Sequence, residues 1–299
     1  MKHIFIVNKI SGKGAGLDSV SLIADVCQAK NIDYEIHITQ FPKHAKQITQ
    51  TFYKEDDVCI YAVGGDGTVL EVINGLNKDV PLAIIPAGSG NDFYRLVKED
   101  DYDLRKILED TIDAPITKID CGIANGLKFI NVTSIGIDSD VNAFASQLIR
   151  KTVVTKGPAY ILSIMKNVVV PHAKHMDIVC DGERFSGDYL IATIMNGRYY
   201  GNGAYPAPHA DIQDGYFDVI LAEKQPTLVV YRLLVKYLKG KHEGDKHFKF
   251  IRAKHISFES HEDLSMQSDG ENYISKHLDV QILEKAINFK CPHYLNIIK

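Results

Sequence analysis

Apolar runs and polar breaks alternate along the first 120 residues at a spacing that predicts strand, helix, strand. Residues 2–7 are apolar β-formers and predict a first strand. After a loop at 8–16, Asp18 is placed to cap a helix with Val20, Ile23, Ala24 and Cys27 on one face. A second strand is predicted over 33–39, a helix over 43–53, and a third strand over 58–63. A helical pattern starts at Thr68 and stops near Gly75 or Asn77. Residues 81–86 give a fourth strand bounded by prolines, and a helix is expected over 93–97. Strands and helices in this alternation predict a parallel sheet covered on both faces. Ligands on such sheets bind beyond the carboxyl ends of the strands. Three glycine-bearing loops fall there, at 8–16, 64–67 and 87–90.

The pattern changes after residue 120. Strands are expected over 116–124 and 127–134, joined at Asn125-Gly126, a strong hairpin signal. A long helical pattern over 140–169 carries Arg150, Lys151, Lys156 and Lys166. Short strands follow over 176–180, 184–195, 217–223, 247–252, 255–259, 273–275 and 278–283, with a second hairpin turn at Asp181-Gly182. Runs of strands after an alternating half predict a second, β-rich domain, a sandwich over 121–284 beside an α/β domain over 1–120. Residues 226–242 predict an amphipathic basic helix, with Leu228, Val229, Leu233, Leu234, Tyr237 and Leu238 beside Arg232, Lys236, Lys239 and Lys241. Its apolar stripe is expected to pack on its own core, with an anionic lipid surface as the alternative.

Composition narrows the function classes. A chain of 299 residues, 45% hydrophobic and 24% charged, has the make-up of a globular protein with two domains. A net charge of −4 argues against a general nucleic-acid binder. Cys27, Cys59, Cys121, Cys180 and Cys291 have no metal or redox spacing and read as reduced, buried thiols of a cytoplasmic protein. The apolar start is too short for a signal peptide. The apolar run at 159–171 is broken by Lys166 and Asn167, so membrane contact is expected to be peripheral. His44, His172, His175, His209 and His261 show no ligand or triad spacing and read as surface residues.

The candidate chemistry centres on 58–68. A buried strand runs into Gly64-Gly65-Asp66-Gly67-Thr68 and then a helix start, which leaves bare backbone N–H groups where an anion can sit. Asp66 would repel a phosphate unless a cation lies between them, so metal-assisted phosphate chemistry and a plain capping Asp both stand. Lys9 and Lys13 in the first loop can neutralise phosphate charge, though the loop also reads as a solvated turn. In 87–92, Ser89 offers a hydroxyl, and Asn91 and Asp92 can cap a helix or touch a ligand. The glycine-rich stretch 196–203 reads as a hairpin loop or a ligand loop. Asp211, Asp214 and Asp218 have the chemistry of hard-cation ligands, and a turn at Asp214-Gly215 explains them as well. Asp269 and Glu271 are two apart, which in an extended segment puts both carboxylates on one side.

Taken in order, these motifs resemble the catalytic domain of diacylglycerol kinases and the wider lipid-kinase group. GGDGT at 64–68 followed by P-A-G-S-G-N-D at 86–92 is the core of the match. Asn8 with Ser11-Gly12 resembles N-P-x-S-G with Lys9 for proline, and 134–138 resembles G-x-G-x-D without its first glycine. Residues 205–215 resemble P-x-A-x-x-x-D-G, and 267–271 resemble Q-x-D-G-E. The resemblance implies an α/β N-terminal domain of the NAD kinase/phosphofructokinase type with a parallel sheet, and a β-sandwich C-terminal domain. It also implies that the tail, 285–299, returns to the first domain. It implies a Mg²⁺-dependent ATP:lipid phosphotransferase of phospholipid biosynthesis. ATP would be held by Asn8, Lys9, Ile10, Ser11, Gly12, Thr39, Gly64, Gly65, Asp66, Gly67, Thr68, Val69, Leu70 and Ser89. Asp66 would lie near the γ-phosphate and its metal ion, and Asp269 and Glu271 would supply the base. Asp214, with carbonyls or side chains at Asp211 and Tyr216, would hold a structural Mg²⁺. The implied partners are a lipid such as diacylglycerol, met in a cleft between the domains, and a peripheral membrane surface; a homodimer is left open. The alternatives are a soluble-substrate kinase of the NAD kinase type and a non-catalytic nucleotide-binding module.

Overall fold

A computed structural model describes residues 1–97, 103–136, 139–140 and 173–292. Asp138, His172, the run at 159–171 and nearly all of the helical pattern expected over 140–169 lie outside the described residues. The chain divides into two compact units, residues 1–121 with 284–299, and residues 122–283.

In the first unit, β1 (Lys2–Val7), β2 (Tyr34–Ile38), β3 (Val58–Gly64) and β4 (Leu82–Pro86) alternate with helices. All pair in parallel, in the order β2-β1-β3-β4. β3 is buried along its whole length, as its unbroken apolar run demands of a central parallel strand. Alternate residues serve opposite faces. Phe5, Val7, Cys59, Tyr61, Val63, Ala83 and Ile85 form one core with Ile23, Val26 and Cys27 of α1 (Ala15–Ala29). Ile4, Ile6, Ile60, Ala62, Leu82 and Ile84 are buried on the other face. The five cysteines are free and buried. α2 (His44–Thr49), α3 (Asp66–Ile73) and α4 (Tyr94–Val97) complete the predicted alternation.

The structure departs from the sequence pattern at three places. α1 is capped by Gly14 in left-handed backbone, and Asp18 lies inside its first turn. His44 is half-buried and stacks on Phe41. A further helix, α5 (Leu104–Asp113), has no counterpart in the sequence reading. Asp103 caps it by accepting from the Lys106 N–H at 2.8 Å, and Leu108 and Ile112 join the core. Leu104 and Ile107 pack against the same core, completing an apolar stripe at helical spacing.

The second unit is antiparallel. β5 (Ile116–Ala124) enters it and turns at Asn125-Gly126 into β6 (Leu127–Phe129), both turn residues having positive φ. β7 (Val132–Gly136), β8 (Lys174–Cys180) and β10 (Phe217–Glu223) all pair with β9 (Glu183–Met195), and β11 (Phe248–Ala253) extends β10. β12 (His255–Ser268) pairs with β7, β8 and β13 (Glu271–Lys290). β12 runs nine residues past its predicted end, because a register shift between Glu259 and Leu264 absorbs the polar stretch 260–263. β13 joins three segments that read as separate strands. Along β9 and β10, Ala192, Ile194, Val219 and Leu221 fill one core, while Ile191, Met195, Ile220 and Ala222 face another. That second core is covered by α6 (Thr227–Leu238), through Val230, Leu233, Leu234 and Tyr237. Among the described residues no helix is long and apolar enough to cross a membrane.

The end of β13 belongs to the first unit. Phe289 pairs in parallel with Leu82, and its ring meets Phe93 edge-on at 5.5 Å. Lys290 Nζ donates to the Ala114 carbonyl at 2.9 Å. Phe289 is fully buried, so Phe289→Ala is expected to cost about 3–5 kcal/mol. Urea denaturation measures it, and a loss under about 1 kcal/mol would contradict this packing.

Candidate functional site

Parallel, in-register pairing sets the carboxyl ends of β1, β3 and β4 side by side, with Val7 opposite Val63 and Gly64 opposite Pro86. The loops leaving them touch. A Cβ on Gly12 would collide with the Ala87 carbonyl, and one on Gly88 would collide with the Gly65 backbone. Gly65 itself lies near the Ser11 hydroxyl, 3.7 Å from where its own Cβ would stand. Gly12 also has φ 58°, so two separate constraints favour glycine there.

Side chains fix these backbones. Asn8 Nδ2 donates to Thr68 Oγ1 at 3.0 Å, and Asn8 Oδ1 accepts from the Ile10 N–H at 3.3 Å, which ties the first loop to α3. Asp66 Oδ1 accepts from the Phe93 N–H at 3.2 Å, which ties the start of α3 to the third loop. Asn91 closes its own turn, accepting from the Gly88 N–H and donating to the Gly88 carbonyl, both at 3.0 Å. Asp92 is buried beside Arg95 at 3.3 Å. Both residues are thereby engaged in shaping the loop. The Thr39 N–H continues the ladder from β2 to the Val7 carbonyl. Lys9 Nζ donates to Gln40 Oε1 at 2.8 Å, and Ser89 is exposed. Val69 and Leu70 are buried in the core at 2% and 4% exposure, so only their backbones are open to a site role. The result is a surface of close-packed backbone with hydroxyls and lysines at its rim. Such a surface suits a polyphosphate, whose oxygens take N–H donors and cations.

In the second unit, Asp269-Gly270 forms the two-residue turn between β12 and β13, with φ 44° and 93°. Both positive values mark the hairpin turn that Asp-Gly favours. The extended geometry expected for Asp269 and Glu271 is therefore replaced by a bend. The two carboxylates have different surroundings. Asp269 accepts from the backbone N–H groups of Ile130 at 2.6 Å, Asn131 at 3.1 Å and Val132 at 2.9 Å. Glu271 is exposed, and no hydrogen bond or ion pair engages its carboxylate among the described residues. Gln267 supports the turn, accepting from the Gly270 N–H at 2.9 Å and donating to Ser134 Oγ at 2.8 Å. The stretch 196–203 includes a small hairpin closed by Tyr200 and Ala204.

In the aspartate loop at 211–216 the carboxylates hold their own backbone. Asp211 Oδ1 accepts from the Gln213 N–H and Asp214 Oδ1 from the Tyr216 N–H, both at 2.9 Å. The other Asp214 oxygen is paired with Arg252. The Arg252 guanidinium and Lys254 Nζ each lie 4.7 Å from the Tyr216 ring centre. Burial raises the Asp218 carboxyl above its ordinary range, Arg252 opposes the shift and Asp214 adds to it. Among the described residues no three His, Cys, Asp or Glu side chains converge to hold a metal. The pairing with Arg252 does not involve the main-chain carbonyls of Asp211 and Tyr216, and an ion held by them with Asp214 is open to test by chelation.

Two family models match the chain one after the other. A family model described as the diacylglycerol kinase catalytic domain matches residues 2–124. Another, described as the YegS C-terminal NAD kinase beta sandwich-like domain, matches residues 131–291. A diacylglycerol kinase of Staphylococcus aureus (strain JH9) is 30% identical over 252 residues, covering 80% of this chain and 78% of its own. A diacylglycerol kinase of Bacillus subtilis (strain 168) is 26% identical over 277 residues, covering 89% and 88%. The crystal structure of a diacylglycerol kinase from Bacillus anthracis matches at a TM-score of 0.76 and 21% identity over 98% of both chains, which shows the shared fold.

Two outcomes test the second unit. Asp269→Asn removes charge-assisted acceptors for backbone donors and is expected to destabilise by about 2–4 kcal/mol in urea denaturation. Chelation with EDTA is expected to lower the melting temperature of the wild type if an ion is held at 211–216, and Arg252→Ala is expected to cost about 1 kcal/mol. An unchanged melting temperature on chelation would remove the structural ion from the loop.

Proposed function

The chain belongs to the diacylglycerol kinase family of lipid kinases, and from that premise we propose that it transfers the γ-phosphate of ATP to the hydroxyl of diacylglycerol or a related lipid. The observation that carries the proposal is the convergence of the three glycine loops at the carboxyl ends of β1, β3 and β4. Phosphoryl transfer asks mainly for positioned phosphates, neutralised charge and an acceptor for the hydroxyl proton. The backbone of 8–12 and 64–70, with the hydroxyls of Thr39 and Ser89, is proposed to position ATP. Mg²⁺ arrives with ATP as part of the substrate and neutralises phosphate charge. Asp66 commits one oxygen to the Phe93 N–H, and its second is proposed to face that ion.

Glu271 is the better base of the acidic pair. The Asp269 oxygens are taken up by three backbone donors, and a proton acceptor needs an available lone pair. Asp269 then serves as a positioning residue, holding the turn from which Glu271 projects. The lipid hydroxyl gives its proton to Glu271 as its oxygen bonds to the γ-phosphorus, and ADP leaves with the electrons of the broken P–O bond.

Glu271→Gln is expected to lower kcat about 10²–10⁴-fold with the KM for ATP nearly unchanged. Labelled ATP with detergent-dispersed diacylglycerol measures this, and NAD in place of lipid is the control. Phosphorylated NAD with no lipid product would move the assignment to the soluble-substrate class. Full activity in Glu271→Gln would remove it as the base.

A further inference from the structure

α6 has a second apolar stripe that its own core does not use. At 100° per residue, Val230, Leu233, Leu234 and Tyr237 share the side packed on β9 and β10. Leu228, Tyr231 and Val235 fall on the opposite side, at 86%, 42% and 53% exposure. A surface helix ordinarily carries polar groups there. Arg232 and Lys239 lie on the same outward side and are exposed. Lys224 precedes the helix and Lys241 follows it. Residues 224–242 hold five lysines and arginines and no carboxylate, in a chain whose net charge is −4.

The nearby carboxylates are largely engaged. Asp245 binds Lys236 at 2.6 Å and His247 at 2.7 Å, with Arg232 farther away at 3.9 Å. Glu243 pairs with His209 at 3.1 Å. Glu223 is the remaining exposed acid beside the helix.

We propose that the outward face of α6 seats on an anionic phospholipid surface. Leu228, Tyr231 and Val235 enter the acyl boundary, and Lys224, Arg232, Lys239 and Lys241 meet lipid phosphates. Charge decides between occupants. A second copy of this chain, paired face to face through the same helix, would set these cations against one another. A phosphate-bearing bilayer complements them. The inference rests on the lipid-kinase reading for why the chain should visit a bilayer, while the binding itself is measured without catalysis.

The test is sedimentation of the full chain with phosphatidylcholine vesicles, with and without phosphatidylglycerol. Wild type is expected to bind the anionic vesicles at least ~10-fold more tightly and to release as salt rises. Leu228→Asp with Val235→Asp, and separately Lys239→Glu with Lys241→Glu, are expected to lose ~10-fold or more of that binding. Both pairs should keep wild-type melting and wild-type turnover of a short-chain diacylglycerol presented as monomer. Variants that bind like wild type would overturn the proposal, as would a wild type that ignores anionic vesicles. So would a wild-type dimer in sedimentation velocity that Leu228→Asp with Val235→Asp dissociates, because the face would then be an interface between copies. Intact vesicle binding with no kinase activity on any lipid would support the surface and sink the proposed reaction.

Discussion

Two main chains pass in contact where Gly88 meets Gly65, and the candidate nucleotide site depends on that approach. It is available only because three parallel strands end level and because neither residue carries a Cβ. The parallel ladder supplies the alignment, since β3 is hydrogen-bonded on both sides and buried on both faces. Asn8 and Asp66 then cross-link neighbouring loops through single hydrogen bonds. The backbone donors are thereby organised before any ligand arrives, which lowers the entropy cost of gripping a phosphate.

The acidic pair shows how one short turn separates two like groups. The positive φ values at Asp269 and Gly270 swing the chain so that Asp269 folds back onto the 130–132 backbone, while Glu271 opens the next strand. The same residue types in an extended run would have shared one environment. The bend makes one a clamp and leaves the other exposed. In the 211–216 loop one Asp214 oxygen holds the Tyr216 N–H while the other pairs with Arg252.

Much of this was legible in the sequence because its signals are local. Val58–Gly64 is apolar without a break, and Asn125-Gly126 and Asp181-Gly182 carry their turn geometry in their composition. The glycine loops were readable for the same reason, since backbone approach requires glycine. What stayed hidden depends on contacts far away in the chain. α5 is the exception, since Leu104, Ile107, Leu108 and Ile112 meet the core at helical spacing and that signal was local. β12 continues through four polar residues only because β13 accepts the shifted register. The pairing of Asp214 with Arg252 joins positions 38 apart that no motif connects. The outer stripe of α6 was visible as letters, but only burial separates its three exposed apolar residues from the four that pack inward.

The position of Phe289 beside Leu82 sets an order on biosynthesis. Most of the first unit leaves the ribosome early, yet the strand that covers its β4 edge is translated some two hundred residues later. Until then the nascent sheet presents an open hydrogen-bonding edge and an unfilled space next to Phe93. The loops built on that sheet gain their support on the β4 side only after the β-rich unit has been synthesised. A partly made chain is held short of a finished kinase by its own topology.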